Sequence, residues 1–130
     1  MSRYRPYQGR HLIADLHGCS GLDDAELVGS ALAAAATAAG ATLLDLRLHA
    51  FGPGKGITGV ALLAESHISI HTWPEHGYAA VDIFMCGRRH DLEIALATLV
   101  RAIGAEQVDA QSLERGFSSL AEAAGVSCTT

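Results

Sequence analysis

Between Glu65 and Cys86 the chain concentrates side chains that can move protons or attack carbonyls. The stretch reads Glu65-Ser66-His67-Ile68-Ser69-Ile70-His71-Thr72-Trp73-Pro74-Glu75-His76-Gly77-Tyr78, with three histidines inside ten residues, and Cys86 ends the apolar run that follows. Several chemistries fit these residue types. His67, His71 and His76 with Glu75 could ligate a metal, since on a strand His67, Ser69 and His71 share one face. No HExxH or other tight ligand pattern frames them, so no metal is expected. Ser66 or Cys86 could act as a nucleophile activated by His71, but no GxSxG elbow surrounds Ser66. The bland alternative is a strand whose solvent face carries histidines, and the density of the string counts against it.

These side chains need elements to hold them. Residues 1–10 read as a loose arm, and His11 to His17 alternates as a strand does, with Leu12, Ala14 and Leu16 on one face. Asp23 or Asp24 can cap a helix running to about Ala39, with Val28, Leu32, Ala35 and Ala39 as its apolar stripe. Gly40 is placed to end it. Ala41 to Phe51 is a second strand, with Leu44, Leu46 and Leu48 on one face and Asp45, Arg47 and His49 on the other. Gly52-Pro53-Gly54-Lys55-Gly56 is a loop. Ile57 to Ala64 and Ile68 to Thr72 are extended, Trp73 to Gly77 turns, and Tyr78 to Met85 is extended again. Asp91 to Ile103 is a helix with Leu92, Leu96, Leu99 and Ile103 inward, and Gly104 ends it. Gln107 to Leu113 is a last strand, and the tail beyond Ser118 frays or forms a short helix. Successive strands pair antiparallel. The fold class expected is α/β of the α+β type: a two-layer sandwich, its mainly antiparallel sheet covered on one face by two helices. The other face is left wet or covered by a partner.

The chain has 130 residues, 49% hydrophobic and 18% charged, which suits one domain spanning 1–130. Its net charge is −5 and no Lys/Arg-rich stretch exists, which argues against nucleic acid or an anionic membrane as partner. The apolar run from Ala31 to Leu44 is too short and too interrupted to span a membrane. Neither a signal peptide nor a CxxC pair is visible, so a cytoplasmic, reducing setting is expected. Cys19 and Cys128 are read as structural or incidental, Trp73 and Pro74 as shaping the turn, and Arg88-Arg89-His90 as a solvated turn. Asp15 and Asp45 sit on polar strand faces, where a substrate ammonium is one use and plain solvation another. The lone lysine, Lys55, leaves little material for the usual pyridoxal anchor.

The string from Leu63 to Gly87 closely resembles the signature of prokaryotic S-adenosylmethionine decarboxylase proenzymes, a pyruvoyl-dependent family. The flanks agree: His11-Leu12-Ile13-Ala14-Asp15, His49-Ala50-Phe51, Gly59-Val60 and Glu114-Arg115-Gly116. The resemblance covers about residues 9–117 and implies autocatalytic serinolysis between Glu65 and Ser66. The products would be a β chain, 1–65, and an α chain, 66–130, whose first residue becomes a covalent pyruvoyl group; neither pyridoxal nor metal is implied. By the same resemblance Ser66 is the pyruvoyl precursor and forms the Schiff base. His71 is the processing proton acceptor, Thr58 assists processing, Cys86 is the catalytic proton donor, and Phe51 and Glu75 touch substrate. It further implies S-adenosylmethionine as the small-molecule substrate, a role in spermidine biosynthesis, and a homodimer of αβ units with the site near the interface.

The residue types make chemical sense on their own. Serine offers both a β-oxygen nucleophile and a β-leaving group, and neutral histidine suits proton removal at pH 7. A pyruvoyl carbonyl supplies the electron sink that pyridoxal supplies elsewhere, and a largely protonated thiol can return a proton. Two features depart from the family pattern. Thr58 stands where serine is usual, and the Gly52–Gly56 loop is one residue longer and richer in glycine. Ser66 and His71 would also project to opposite faces of a regular strand, so a bend near the cleavage point is expected, or an approach by His71 from another direction. Arginine or ornithine as substrate is the alternative within the same chemistry. An unprocessed, non-enzymatic binding or regulatory relative is the alternative outside it.

Overall fold

The computed structural model describes residues 7–86 and 89–116. Expectations for the arm at 1–6, for Arg88, for Cys128 and for the tail beyond Ser118 fall outside them. Among the described residues the elements are, in chain order, β1 (Gly9–His17), α1 (Ala25–Ala38), β2 (Leu43–Ala50), β3 (Ile57–Leu63), β4 (Ser66–Trp73), β5 (Tyr78–Met85), α2 (Leu92–Ile103) and β6 (Gln107–Arg115), with a 3-10 turn at Pro74–His76. The six strands form one sheet ordered β2-β3-β4-β5-β1-β6, every neighbouring pair antiparallel. Four consecutive strands run as a meander, while β1 inserts between β5 and β6. The expected two-layer sandwich is what forms.

Capping explains where the helices begin. The Asp24 carboxylate accepts from the backbone N–H groups of Glu26 and Leu27, and Asp91 accepts from Ile94. Both helices lie against one face of the sheet and against each other. Val28, Leu32, Ala35, Leu92, Leu99 and Ile103 are buried there over Leu12, Leu16, Ile68, Ile70, Val81 and Ile83. Alternation does the rest: in β4 and β5 every second residue is buried, and the intervening ones reach the uncovered face.

Three boundaries differ from expectation. β1 starts at Gly9, because that stretch pairs with Met85 on one side and Arg115 on the other. β2 starts at Leu43, and its register with β3 shifts between Leu43 and Asp45. That irregularity puts Leu44 out of the apolar row with Leu46 and Leu48, and it is 66% exposed. The third difference bears on the site: β4 begins at Ser66, so the break in the chain precedes Ser66 and does not separate it from His71.

Candidate active site

Ala64 and Glu65 make the two-residue turn that joins β3 to β4, with Leu63 level with Ser66. Such turns call for positive φ, which glycine or asparagine supplies cheaply. Here Glu65 adopts it, with φ 62°, alone among the described non-glycine residues. For a side chain such as glutamate the left-handed region costs on the order of 1–2 kcal/mol. The Ala64 N–H is tied to the Thr42 carbonyl at 3.0 Å, which helps hold the turn. Ser66 follows at once, half-buried, so its hydroxyl and the Glu65 carbonyl belong to adjacent residues of one strained turn. Cys86, also half-buried, lies at the same end of the sheet: β4 and β5 pair His67 with Phe84, and Cys86 follows Met85 at the end of β5. The backbone N–H groups of Arg89 and His90 both donate to the Cys86 carbonyl, forming the expected turn before α2.

The other end of β4 holds a cavity of about 610 Å³, lined among others by Phe51, Lys55, Thr58, His71, Trp73 and Glu75. Four sequence-predicted residues, Phe51, Thr58, His71 and Glu75, are thus gathered in one place. Thr58 and His71 are level on adjacent strands, with Oγ1 and Nδ1 3.1 Å apart. Thr58 keeps the hydroxyl that the resemblance asks of that position. The Gly52–Gly56 loop forms the rim, closed by Phe51 N–H donating to the Gly56 carbonyl at 3.0 Å. A Cβ at Gly56 would lie 2.1 Å from the Thr72 carbonyl oxygen, so only glycine fits there. The Phe51 ring is 58% exposed and meets His49 edge-on.

The two groups are not brought together within one chain. Ser66 and His71 are separated by five positions of regular strand, about 17 Å, and by the odd spacing they point to opposite faces. The chain does turn near the cleavage point, at Ala64–Glu65, but ahead of Ser66, so the turn does not bring the two side chains to one face, and an approach by His71 from another direction is left.

A third cluster went unread in the sequence. On the uncovered face the Asp82 carboxylate of β5 receives His11 Nε2 of β1 at 2.7 Å and His67 Nε2 of β4 at 3.0 Å on one oxygen. The Ser69 hydroxyl donates to its other oxygen. Burial pushes the Asp82 carboxyl up, but the hydrogen bonds from Ser69, His11 and His67 outweigh it and hold it below its ordinary value. The Phe84 ring lies against both imidazoles. The only signal in the sequence was parity: positions 11, 67, 69 and 82 all fall on solvent-side positions of their strands, and nothing local says that those strands are neighbours. The metal set considered above is dispersed. His67 joins Asp82, His71 and Glu75 line the cavity, and His76 sits in the 3-10 turn.

The remaining candidates have local partners. Tyr78 O–H donates to Asp15 at 2.7 Å, and Arg47 Nε donates to Asp45 at 2.9 Å. Burial pushes the Cys19 thiol up, the opposite of what a reactive thiolate requires. No helix among the described residues is long and apolar enough to cross a membrane.

An antiparallel sheet under two helices, with a strained hairpin between β3 and β4, defines an α+β sandwich with a solved counterpart. The crystal structure of the adenosylmethionine decarboxylase from Aquifex aeolicus superposes with a TM-score of 0.76 at 38% identity, covering 86% of this chain and 93% of that one. The family model described as S-adenosylmethionine decarboxylase matches residues 10–116, and the chain belongs to that family. It is 43% identical over 109 residues to the S-adenosylmethionine decarboxylase proenzyme of Thermomicrobium roseum, covering 84% of this chain and 94% of that one. It is 50% identical over 109 residues to the proenzyme of the same name from Parasynechococcus marenigrum, covering 82% and 84% respectively.

Proposed function

We propose that this chain is a self-cleaving S-adenosylmethionine decarboxylase. The observation that carries the reading is the position of Glu65–Ser66, a strained turn in which nucleophile and target carbonyl are adjacent, at the end of the sheet where Cys86 lies. Ser66 Oγ attacks the Glu65 carbonyl carbon and the peptide nitrogen leaves it, converting the amide to an ester and freeing the Ser66 amine. Removal of the Ser66 Cα proton expels the Glu65 carboxylate, completing the β chain 1–65. The dehydroalanine left on the α chain 66–130 tautomerises to an imine, and water replaces its nitrogen as ammonia, leaving the pyruvoyl group. That group, when formed, supplies the electron sink for loss of carbon dioxide from an amino acid. Cys86 then holds the proton that is returned to the substrate carbon. Phe51 and Glu75 offer an exposed ring and a carboxylate to a substrate carrying an adenine and positive charge. The decarboxylated product would serve as an aminopropyl donor for spermidine, in a cytoplasmic setting.

His71 and Thr58 reach Ser66 only if a second copy provides them, and we assign the working unit to a homodimer. The helix-free face supports this reading. It exposes Ile13, Leu62 and Trp73, at 39%, 45% and 40%, across the sheet that links the two halves of the site. Each site would then combine Ser66 and Cys86 of one protomer with Phe51, Thr58, His71 and Glu75 of the other.

Mass spectrometry of the denatured protein tests the processing step. Two chains split at Glu65–Ser66 are expected, with Ser66→Ala remaining whole; a single full-length mass after prolonged incubation would refute cleavage. A carbon dioxide release panel with S-adenosylmethionine, arginine and ornithine tests the substrate.

A further inference from the structure

We propose that Asp82 is a positioning residue that, acting through His67, holds the start of the α chain in place after the chain is cut. The inference rests on the cleavage reading above. Before cleavage, Ser66 is held on both sides by the hairpin. After cleavage the turn no longer closes, and position 66 is a chain end, where strands ordinarily fray. Whatever keeps the pyruvoyl group aimed has to act on the residues just behind it.

His67 is the first of those residues, and its side chain is fastened to a neighbouring strand. Its Nε2 lies 3.0 Å from Asp82 Oδ2, and its ring stacks on Phe84 with centroids 6.1 Å apart and planes at 29°. Two residues on, Ser69 is fastened to the same carboxylate. The carboxylate is itself braced from the far side. Arg115 of β6 places Nη1 3.2 Å from His11 Nδ1, and His11 Nε2 lies 2.7 Å from Asp82. A guanidinium only donates, so His11 Nδ1 accepts and His11 Nε2 carries the hydrogen given to Asp82. The anionic oxygen also accepts from His67, whose hydrogen therefore sits on Nε2. The line Arg115, His11, Asp82, His67 crosses four strands, β6 to β4, and ends one residue from the cut. His11, His67 and Asp82 could together present ligand atoms to a metal, all within 4.8 Å of one another. The guanidinium hydrogen on His11 Nδ1 makes Nε2 a donor instead, and a donor is not a ligand.

An asparagine at 82 offers one acceptor oxygen where three donors converge. At 67, glutamine places an amide N–H near the imidazole Nε2–H, whereas asparagine is too short to do so. A displacement of about 1 Å at a reacting centre can cost on the order of 100-fold in rate. His67→Asn and Asp82→Asn are therefore expected to cut as the parent chain does. Their kcat for decarboxylation should fall about 10- to 100-fold, with KM within about threefold. His67→Gln should recover most of that loss. The double variant His67→Asn/Asp82→Asn should be no worse than the poorer single variant, because both changes break one link. Nitrogen-15 NMR of the uncut Ser66→Ala chain should show hydrogen on Nε2 of both His11 and His67.

If the parent chain neither cuts nor releases carbon dioxide, the functional reading fails and takes the anchor with it. A parent chain that cuts and turns over, with kcat unchanged in His67→Asn, overturns the anchor alone. So do losses that multiply in the double variant, a loss confined to KM, a His67→Gln no better than His67→Asn, or Nδ1–H tautomers. Should Asp82→Asn fail to fold, the comparison of His67→Gln with His67→Asn decides.

Discussion

The two ends of β4 are built on different physical terms. At Ser66 the strand emerges from a two-residue turn in which a glutamate occupies a backbone region suited to glycine, and the thiol-bearing end of β5 lies alongside. At His71 the same strand is regular, and the side chains of Thr58, His71, Phe51 and Glu75 border a cavity. One end stores strain in a bond that is read as breaking; the other offers shape and hydrogen-bonding groups. A rigid strand of about 17 Å keeps them apart in each copy. The contrast teaches that residues predicted for one site can lie at opposite ends of one strand, so the proposed site has to draw on two copies.

Three experiments bear on that contrast. The largest effect is expected from Cys86→Ala, which removes the proposed proton donor at the turn end without touching the cavity. Cleavage should proceed, while decarboxylation falls about 10²- to 10⁴-fold; full turnover would remove Cys86 from the chemistry. A mixing experiment tests whether the two ends meet between copies. His71→Ala and Ser66→Ala should each stay whole when alone. Co-refolded, each mixed pair has one site with an intact Ser66 and an intact His71, so the His71→Ala chain should be cut. If it stays whole in mixtures, the two-copy site is wrong. The smallest effect is expected at the turn itself. Glu65→Gly removes a left-handed penalty on the order of 1 kcal/mol, so the uncut Ser66→Ala background should gain stability by about that amount. With Ser66 present, cutting should slow by a few-fold at most. A faster cut in the glycine variant would show that the strain does not assist cleavage.

Much of the frame was legible because it depends on local periodicity. Alternation located β1, β3 and β5, the helix starts fall where Asp23 or Asp24 and Asp91 place them, with Asp24 the cap that forms, and the burial of Leu92, Leu99 and Ile103 follows their spacing. Leu44 leaves the row its spacing predicts because a shift in pairing with β3 changes which face a residue takes, and a shift in pairing leaves no mark in the sequence of one strand. The start of β4 is hidden in the sequence for a related reason. Glu65-Ser66-His67 reads as a polar interruption, yet only Ala64–Glu65 are needed to turn the chain, and Ser66 and His67 pair at once with β3.

The cavity group was legible as residue types and through the family resemblance, and the structure adds that Phe51, Thr58, His71 and Glu75 are gathered at one end of β4. The Asp82 cluster was invisible for a different reason. It joins residues 11, 67, 69, 82 and 115, drawn from four strands, and their meeting depends on β1 entering between β5 and β6.

The order of side chains along 130 residues therefore determined the elements, the faces of most strands, the family and the residue types available for chemistry. Those are consequences of local sterics and of short-range spacing, which the chain carries wherever it goes. Tertiary structure decided which strands are neighbours, where the turn falls relative to Ser66, and which carboxylate His67 meets. Pairing partners and register arise from burying one sheet face under two helices, a property of the whole chain at once. That is why the same fold that separates Ser66 from His71 can also tie His67 to Arg115.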